Sequence, residues 1–247
     1  MNKLRSVVAM SIGAALILPG CDSNSNSNSV PSSPSVSAPA ENPEAGTSDQ
    51  AIPPVAEIPQ DDFTAEEGFT ALAFSDFTPV FANEETWKEH GTSIVTTGEP
   101  KGYLQTSQTF SNFTLKLEYR FLPKPKLAEE KRPLSNTGVL LYIDEEQAIW
   151  PKSVEVQGKH VEMASIKSNG GIPDVVITDD QAAREAARKP VGEWNELTII
   201  SADGALTSFL NGTQICQSEP AERQSGHLGF QAEGFPVEFR RIRIQTR

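Results

Sequence analysis

Residues 113–121 read Phe113-Thr-Leu-Lys-Leu-Glu-Tyr-Arg-Phe121. Phe113, Leu115, Leu117, Tyr119 and Phe121 alternate without a break with Thr114, Lys116, Glu118 and Arg120. A period of two is that of a β-strand with one face on a core and the other turned outward. The same reading extends along the chain. Gly138 to Ile143 is a continuous apolar run, as expected of a central strand, and Ser153-Val-Glu-Val-Gln157 alternates again. Asn195–Ser201 runs into Ala202-Asp203-Gly204, a hairpin turn; Ala205–Leu210 returns, and Asn211-Gly212 turns the chain into Thr213–Cys216. Gly226–Gln231 and Val237–Gln245 complete the strands. Helix is scarce. Asp179 is placed to cap a short one over Gln181–Arg188, stopped by Pro190, and residues 83–90 read as a further helical turn. The pattern predicts an all-β fold: a two-sheet jelly-roll sandwich with short helical insertions. An immunoglobulin-type sandwich takes about 100 residues and would leave too much chain unexplained.

The N-terminal segment has a different character. Lys3 and Arg5 precede an apolar run that closes on Leu16-Ile-Leu-Pro-Gly-Cys21. This is the order of a secretory signal peptide, and the Cys directly after Gly20 resembles that of a bacterial lipoprotein. The resemblance implies cleavage after residue 20, lipid on Cys21, and an exported protein anchored to a bacterial membrane on its periplasmic or cell-surface side. The apolar run is shorter than the roughly 20 residues a membrane helix needs. Residues 21–62 are Asn, Ser, Pro, Ala and Glu with almost no large apolar side chain. Such a segment cannot offset its folding entropy and reads as a disordered tether. The folded domain is expected over 63–247.

Composition narrows the partners. The chain carries a formal charge of −12, and loss of residues 1–20 makes it more acidic. That argues against nucleic acid and anionic headgroups. With Cys21 lipidated, Cys216 stands alone; it follows Ile215 on a strand and reads as a small buried filler. His90, His160 and His227 lack zinc spacing, and there is no Gly-x-Ser-x-Gly elbow or phosphate loop. No cofactor is implied. Asp174, Asp179 and Asp180 are the candidate oxygen ligands for calcium, with a solvated loop as the plainer reading.

Strand parity gathers the candidate site residues. Glu118 and Arg120 share an outward face; so do Glu155 and Gln157, and so do His227, Gly229, Gln231 and Glu233. If the three strands are neighbours, these residues form one polar floor. It is then either an ordinary solvated face or a surface for sugar hydroxyls. Trp150 and Trp194 lie at strand starts, where a ring can stack on a pyranose. Trp150, beside Pro151, is the one expected to be exposed.

The residues also resemble a family, the 3-keto-disaccharide hydrolase domains, whose fold is similar to concanavalin and laminin-G jelly rolls. The likeness is carried by Gly68-Phe-Thr-Ala-Leu72 with Trp87, Gly102-Tyr-Leu-Gln-Thr106, Phe113–Arg120, Asn136-Thr-Gly-Val139 and Ser153–Gln157. It continues through Gly192-Glu-Trp-Asn195, Asn211-Gly212, Gly226-His-Leu-Gly-Phe-Gln231 and Val237–Ile244. It implies an extracytoplasmic enzyme acting on a glycoside whose 3-hydroxyl a separate oxidoreductase has oxidised. The ketone acidifies the hydrogen on the adjacent carbon, a base removes it, the glycosidic oxygen leaves, and water adds. Such chemistry needs a positioned base and donors toward the enolate oxygen. By the resemblance Glu155 is the base, with Glu118 able to exchange roles. Arg120 and Gln157 orient substrate or stabilise the enolate; Glu118, Asn136 and Gln231 bind hydroxyls. The sequence departs from the family pattern at Gly158-Lys-His160 and at Gln231-Ala-Glu-Gly234. The alternative is a non-catalytic, lectin-like module on a stalk.

Overall fold

The computed structural model describes residues 61–247, so the signal segment, Cys21 and most of the tether lie outside the described residues. In chain order the strands are β1 (Thr70–Ala71), β2 (Phe77–Val80), β3 (Trp87–His90), β4 (Ser93–Thr96) and β5 (Gly102–Phe110). Next come β6 (Phe113–Phe121), β7 (Gly138–Ile143), β8 (Ser153–Gln157), β9 (Ile166–Asn169) and β10 (Ile177–Asp179). The last are β11 (Asn195–Ala202), β12 (Ala205–Leu210), β13 (Thr213–Ser218), β14 (Gly226–Ala232) and β15 (Val237–Thr246). One α-helix, α1 (Gln181–Ala187), and three short 3-10 turns complete the described residues.

The strands form two antiparallel sheets. The larger runs β10-β13-β12-β11-β6-β15-β4-β3, with β1 also on β15; the smaller runs β2-β5-β14-β7-β8-β9. The nine-residue alternation of β6 buries Phe113, Leu115, Leu117, Tyr119 and Phe121 as expected. They meet Leu104, Val139, Leu141, Val154, Val156 and Phe230 of the smaller sheet in one core. Phe230 of the smaller sheet stacks on Phe239 of the larger at 4.9 Å between centroids, tying the layers together, and Phe77 supports it from its own sheet at 5.3 Å. Both predicted hairpins are present. Ala202 pairs with Ala205 and Leu210 with Thr213. The intervening Asp203-Gly204 and Asn211-Gly212 take φ of 50° and 82°, and 49° and 82°, the all-positive pair of a type I′ turn.

Two local expectations are corrected. Residues 83–90 do not form a helical turn. Asn83 Oδ1 accepts from the backbone of Glu85 and Thr86, and the chain then leaves as β3, paired to β4. The cap of α1 is Asp180, whose Oδ1 accepts from Ala183 N at 2.9 Å; Asp179 is ion-paired with Arg184 instead. With one aspartate paired and the other capping, neither is a spare calcium ligand. Among the described residues no group of three or more His, Cys, Asp or Glu is placed to hold a metal.

The outer face of the larger sheet carries an arginine clamp. A bulge in β15 between Arg240 and Arg243 inserts one residue against β6. Arg240 and Arg241 thereby both reach Glu118, at 2.7 and 2.9 Å. Arg241 also holds Asp61 through two hydrogen bonds (2.8 and 3.0 Å), and Arg243 holds Glu66 through two more (2.5 and 2.8 Å). The Phe63 ring lies against both guanidinium groups. Two-point arginine–carboxylate pairs are the stronger and geometrically defined kind, so residues 61–66 are strapped across the back of this sheet.

Candidate functional site

The site is built by register on the outer face of the smaller sheet. The pairings Thr78–Gln105, Gly229–Gln105, Gly229–Leu140, Leu140–Glu155 and Glu155–Lys167 set one row across the sheet. The next row is Val80, Tyr103, Gln231, Gly138 and Gln157. One further step beyond the strand ends brings Lys101, Glu233, Asn136 and Lys159 into a third. Consistent with this placement, Lys101, Lys159 and the Asn136 side chain all act on the Glu233 carboxyl. Glu155, Gln157, Gln231 and Asn136 are thus assembled on one floor, with β7 between β8 and β14 and without β6, which belongs to the other sheet.

That floor is closed, not solvated. All five residues of β8 are buried, with Glu155 and Gln157 each 7 % exposed and Gln231 2 %. The side-chain atoms Glu155 Oε1, Gln231 Oε1, Asn136 Oδ1, Tyr103 OH and Gln105 Oε1 are buried and have no hydrogen-bond partner within the protein. Buried polar atoms are normally paired; the five unpaired ones on this face are free to take partners from a polar ligand or from ordered water. Gly138 makes the convergence sterically feasible. A Cβ added there would lie 2.3 Å from both Gln231 Oε1 and Glu155 Oε1. Gly138→Ala is therefore expected to displace both side chains and cut any turnover by at least tenfold. A thermal melt within a few degrees of the parent, alongside the activity assay, would separate this from unfolding.

Electrostatics set Glu155 apart. Burial, and next the charge of Glu233, push its carboxyl up to about 7, opposed by Lys167. Burial also raises Glu233, while Lys101 and Lys159 favour its ionised form. Lys167, across the strand from Glu155, is already paired with Glu162, as is Lys159. At the rim, Trp150 is 38 % exposed, with the Lys101 ammonium 5.9 Å from its ring centroid. The adjoining part of the face is apolar, where Val80, Tyr103, Leu140 and Ile143 form a second buried cluster.

Glu118 and Arg120 do not belong to this floor. They point outward from β6, in the other sheet, with the whole core between them and Glu155. Glu118 is neutralised by Arg240 and Arg241, and Arg120 donates two hydrogen bonds to Glu238, at 2.8 and 2.7 Å. Neither is free to act as base or enolate donor. Trp194 lies with them, between Arg120 and Arg240 at 4.5 and 3.8 Å from its ring centroid. Cys216 is a buried free thiol pushed up to about 11 by desolvation, matching the filler role. A hollow of about 660 Å³ lies elsewhere, bordered by Asp144, Lys152, residues 171–176 and residues 219–225. Its carboxylate Asp144 is paired with Arg223, and none of the unpaired buried atoms borders it.

The sequence reading missed Tyr103, Gln105 and Lys101, although the signal was present: Lys101-Gly-Tyr-Leu-Gln-Thr106 alternates, with Leu104 in the core.

Comparison with known proteins agrees with this architecture. A candidate glycosyl hydrolase from Parabacteroides distasonis ATCC 8503 superposes with a TM-score of 0.53 at 21% identity, covering 73% of this chain and 94% of that one. The carbohydrate-binding module CBM66 from Bacillus subtilis aligns at 12% identity over 69% of this chain and 96% of its own, with a TM-score of 0.49. At 21% identity the Parabacteroides likeness speaks for the fold alone, the two-sheet antiparallel jelly roll described above. No curated protein matches the sequence. A family profile, described as the 3-keto-alpha-glucoside-1,2-lyase-like domain, matches residues 73–245. From the core strands to the Glu155 floor, the chain belongs to this carbohydrate-related family.

Proposed function

We propose that the domain cleaves 3-keto-glycosides at the Glu155 floor, by proton abstraction and elimination followed by hydration. One observation carries the reading: Glu155 is a buried carboxylate with an unpaired oxygen, raised to about 7, on a floor of unpaired amide and hydroxyl groups. A base whose pKa lies near the working pH combines strength with a usable ionised fraction. In the proposed roles Glu155 takes the hydrogen next to the ketone. Asn136, Gln157 and Gln231 hold the sugar hydroxyls, and the exposed Trp150 offers a stacking surface at the rim. The reaction differs from ordinary glycoside hydrolysis, which works with an acid and a second carboxylate across the bond. The ketone has to come from a separate sugar 3-oxidoreductase. The N-terminal segment supports a lipid on Cys21 and a tether over 21–62 that keep the domain at a bacterial membrane, on its periplasmic or cell-surface side.

The test is aglycone release from a 3-keto-glucoside and from the matching unoxidised glucoside. Release from the keto compound alone is expected, with kcat/KM rising with pH through about 7 as Glu155 ionises and then levelling. Binding of either glycoside with no release from both would replace the enzyme reading with a glycan-binding one.

A further inference from the structure

The floor holds a second carboxylate that proton abstraction alone does not use. Glu233 lies just past the end of β14, two residues after Gln231, and is met by Lys101, Lys159 and Asn136 of the same face. Continuing the β14–β5 register past Ala232–Gly102 sets it beside Lys101. Its surroundings differ from those of Glu155 in two respects. Glu155 is closed off, whereas Glu233 is only partly buried and open to water. The groups facing Glu233 are Lys101 from the β5 side, Lys159 from beyond β8, Asn136 from the segment before β7, and Glu155 itself. Burial raises its carboxyl, and two ammonium groups and an amide oppose that rise by favouring the ionised form.

Resting on the reading above, we propose that Glu233 is the base of the hydration half of the reaction, acting on the water that enters at C1. In the first half, Glu155 takes the proton from C2, and the electron pair of that bond passes into the enolate. Collapse of the enolate expels the glycosidic oxygen with the C1–O pair; that oxygen takes a proton from solvent, leaving an unsaturated ketone. In the second half, water gives a proton to the Glu233 carboxylate and its oxygen bonds to C1. The C1–C2 π pair moves to C2, which recovers its proton from Glu155, and Glu233 returns its own to solvent. The two carboxylates thereby divide the work: the closed one serves carbon, and the water-exposed one serves oxygen. Pairs of titratable groups in unlike environments commonly take unlike roles.

The division is tested with Glu233→Gln and Glu155→Gln in the full chain, using a chromogenic 3-keto-glucoside. Aglycone release, absorbance of the conjugated ketone and formation of the free 3-keto sugar are followed together. Glu233→Gln is expected to slow hydration about 100-fold or more and release far less, so that the unsaturated ketone accumulates. Glu233→Asp should recover part of the hydration rate. Hydration at the parent rate in Glu233→Gln, or equal loss of release and hydration, would overturn the assignment while leaving the elimination reading intact. Failure of the parent protein to release aglycone would remove both.

Discussion

At pH 8, Glu155→Gln is expected to melt higher than the parent protein and to cleave almost nothing. Both halves follow from the same buried carboxyl. The amide keeps the shape of the side chain but cannot accept the proton, so loss of the base should lower kcat by about 10²–10⁴-fold. The stability change follows from linkage. Glu155 has an ordinary value of 4.5 and is held near 7 in the folded protein, chiefly by burial. Between those values the folded state keeps a proton that the unfolded chain has lost. Stability therefore falls as pH rises through this window, and the loss is complete above about 7. It amounts to about 3 kcal/mol. Part of the gain is offset because a buried amide also needs partners, which leaves roughly 1–3 kcal/mol. For a domain of this size that is a rise of roughly 3–10 °C. Below pH 4.5 both states of the parent are protonated, the gain is absent, and the variant should melt no higher than the parent. The same variant-minus-parent difference in melting temperature at pH 8 and at pH 4 would show that burial does not raise Glu155.

Phe230→Ala should be the most destabilising single change in the core. The ring is 1 % exposed and stacks on Phe239 while touching Phe77, so it joins β2, β14 and β15 across the two sheets. Truncating a buried phenylalanine costs about 3–5 kcal/mol, because the transfer and cavity terms add. A fall in melting temperature of roughly 10 °C or more is expected. Gln231 follows directly on the same strand, so residual activity at low temperature should fall as well. A change below about 1 kcal/mol would mean that the sheets repack freely around the site.

Much of the fold was legible because β-structure writes itself in parity and turns. Phe113–Phe121 gave β6 to the residue, and Asp203-Gly204 and Asn211-Gly212 gave both hairpins. Parity names a face, however, not the sheet that owns it. Glu118 and Glu155 both point outward, but from opposite sides of the sandwich; only the strand order separates them. The same limit explains Trp87–His90. Its charged flanks suit a helix, and the pairing that makes it a strand comes from β4, a partner that local pattern does not register. Burial of the Glu155 floor was hidden for a related reason. Polar side chains at alternate positions look solvated until the rows above and below them are known.

The clamp on residues 61–66 has a directional consequence. Asp61 and Glu66 are gripped on the back of the larger sheet, and the Glu155 floor lies on the far side of the smaller one. A force applied at Asp61 therefore enters the domain on the back, with the whole core between it and the working face. Tension entering at residue 61 loads the arginine pairs first, ahead of the strands that shape the floor, so grip and working face are mechanically separate.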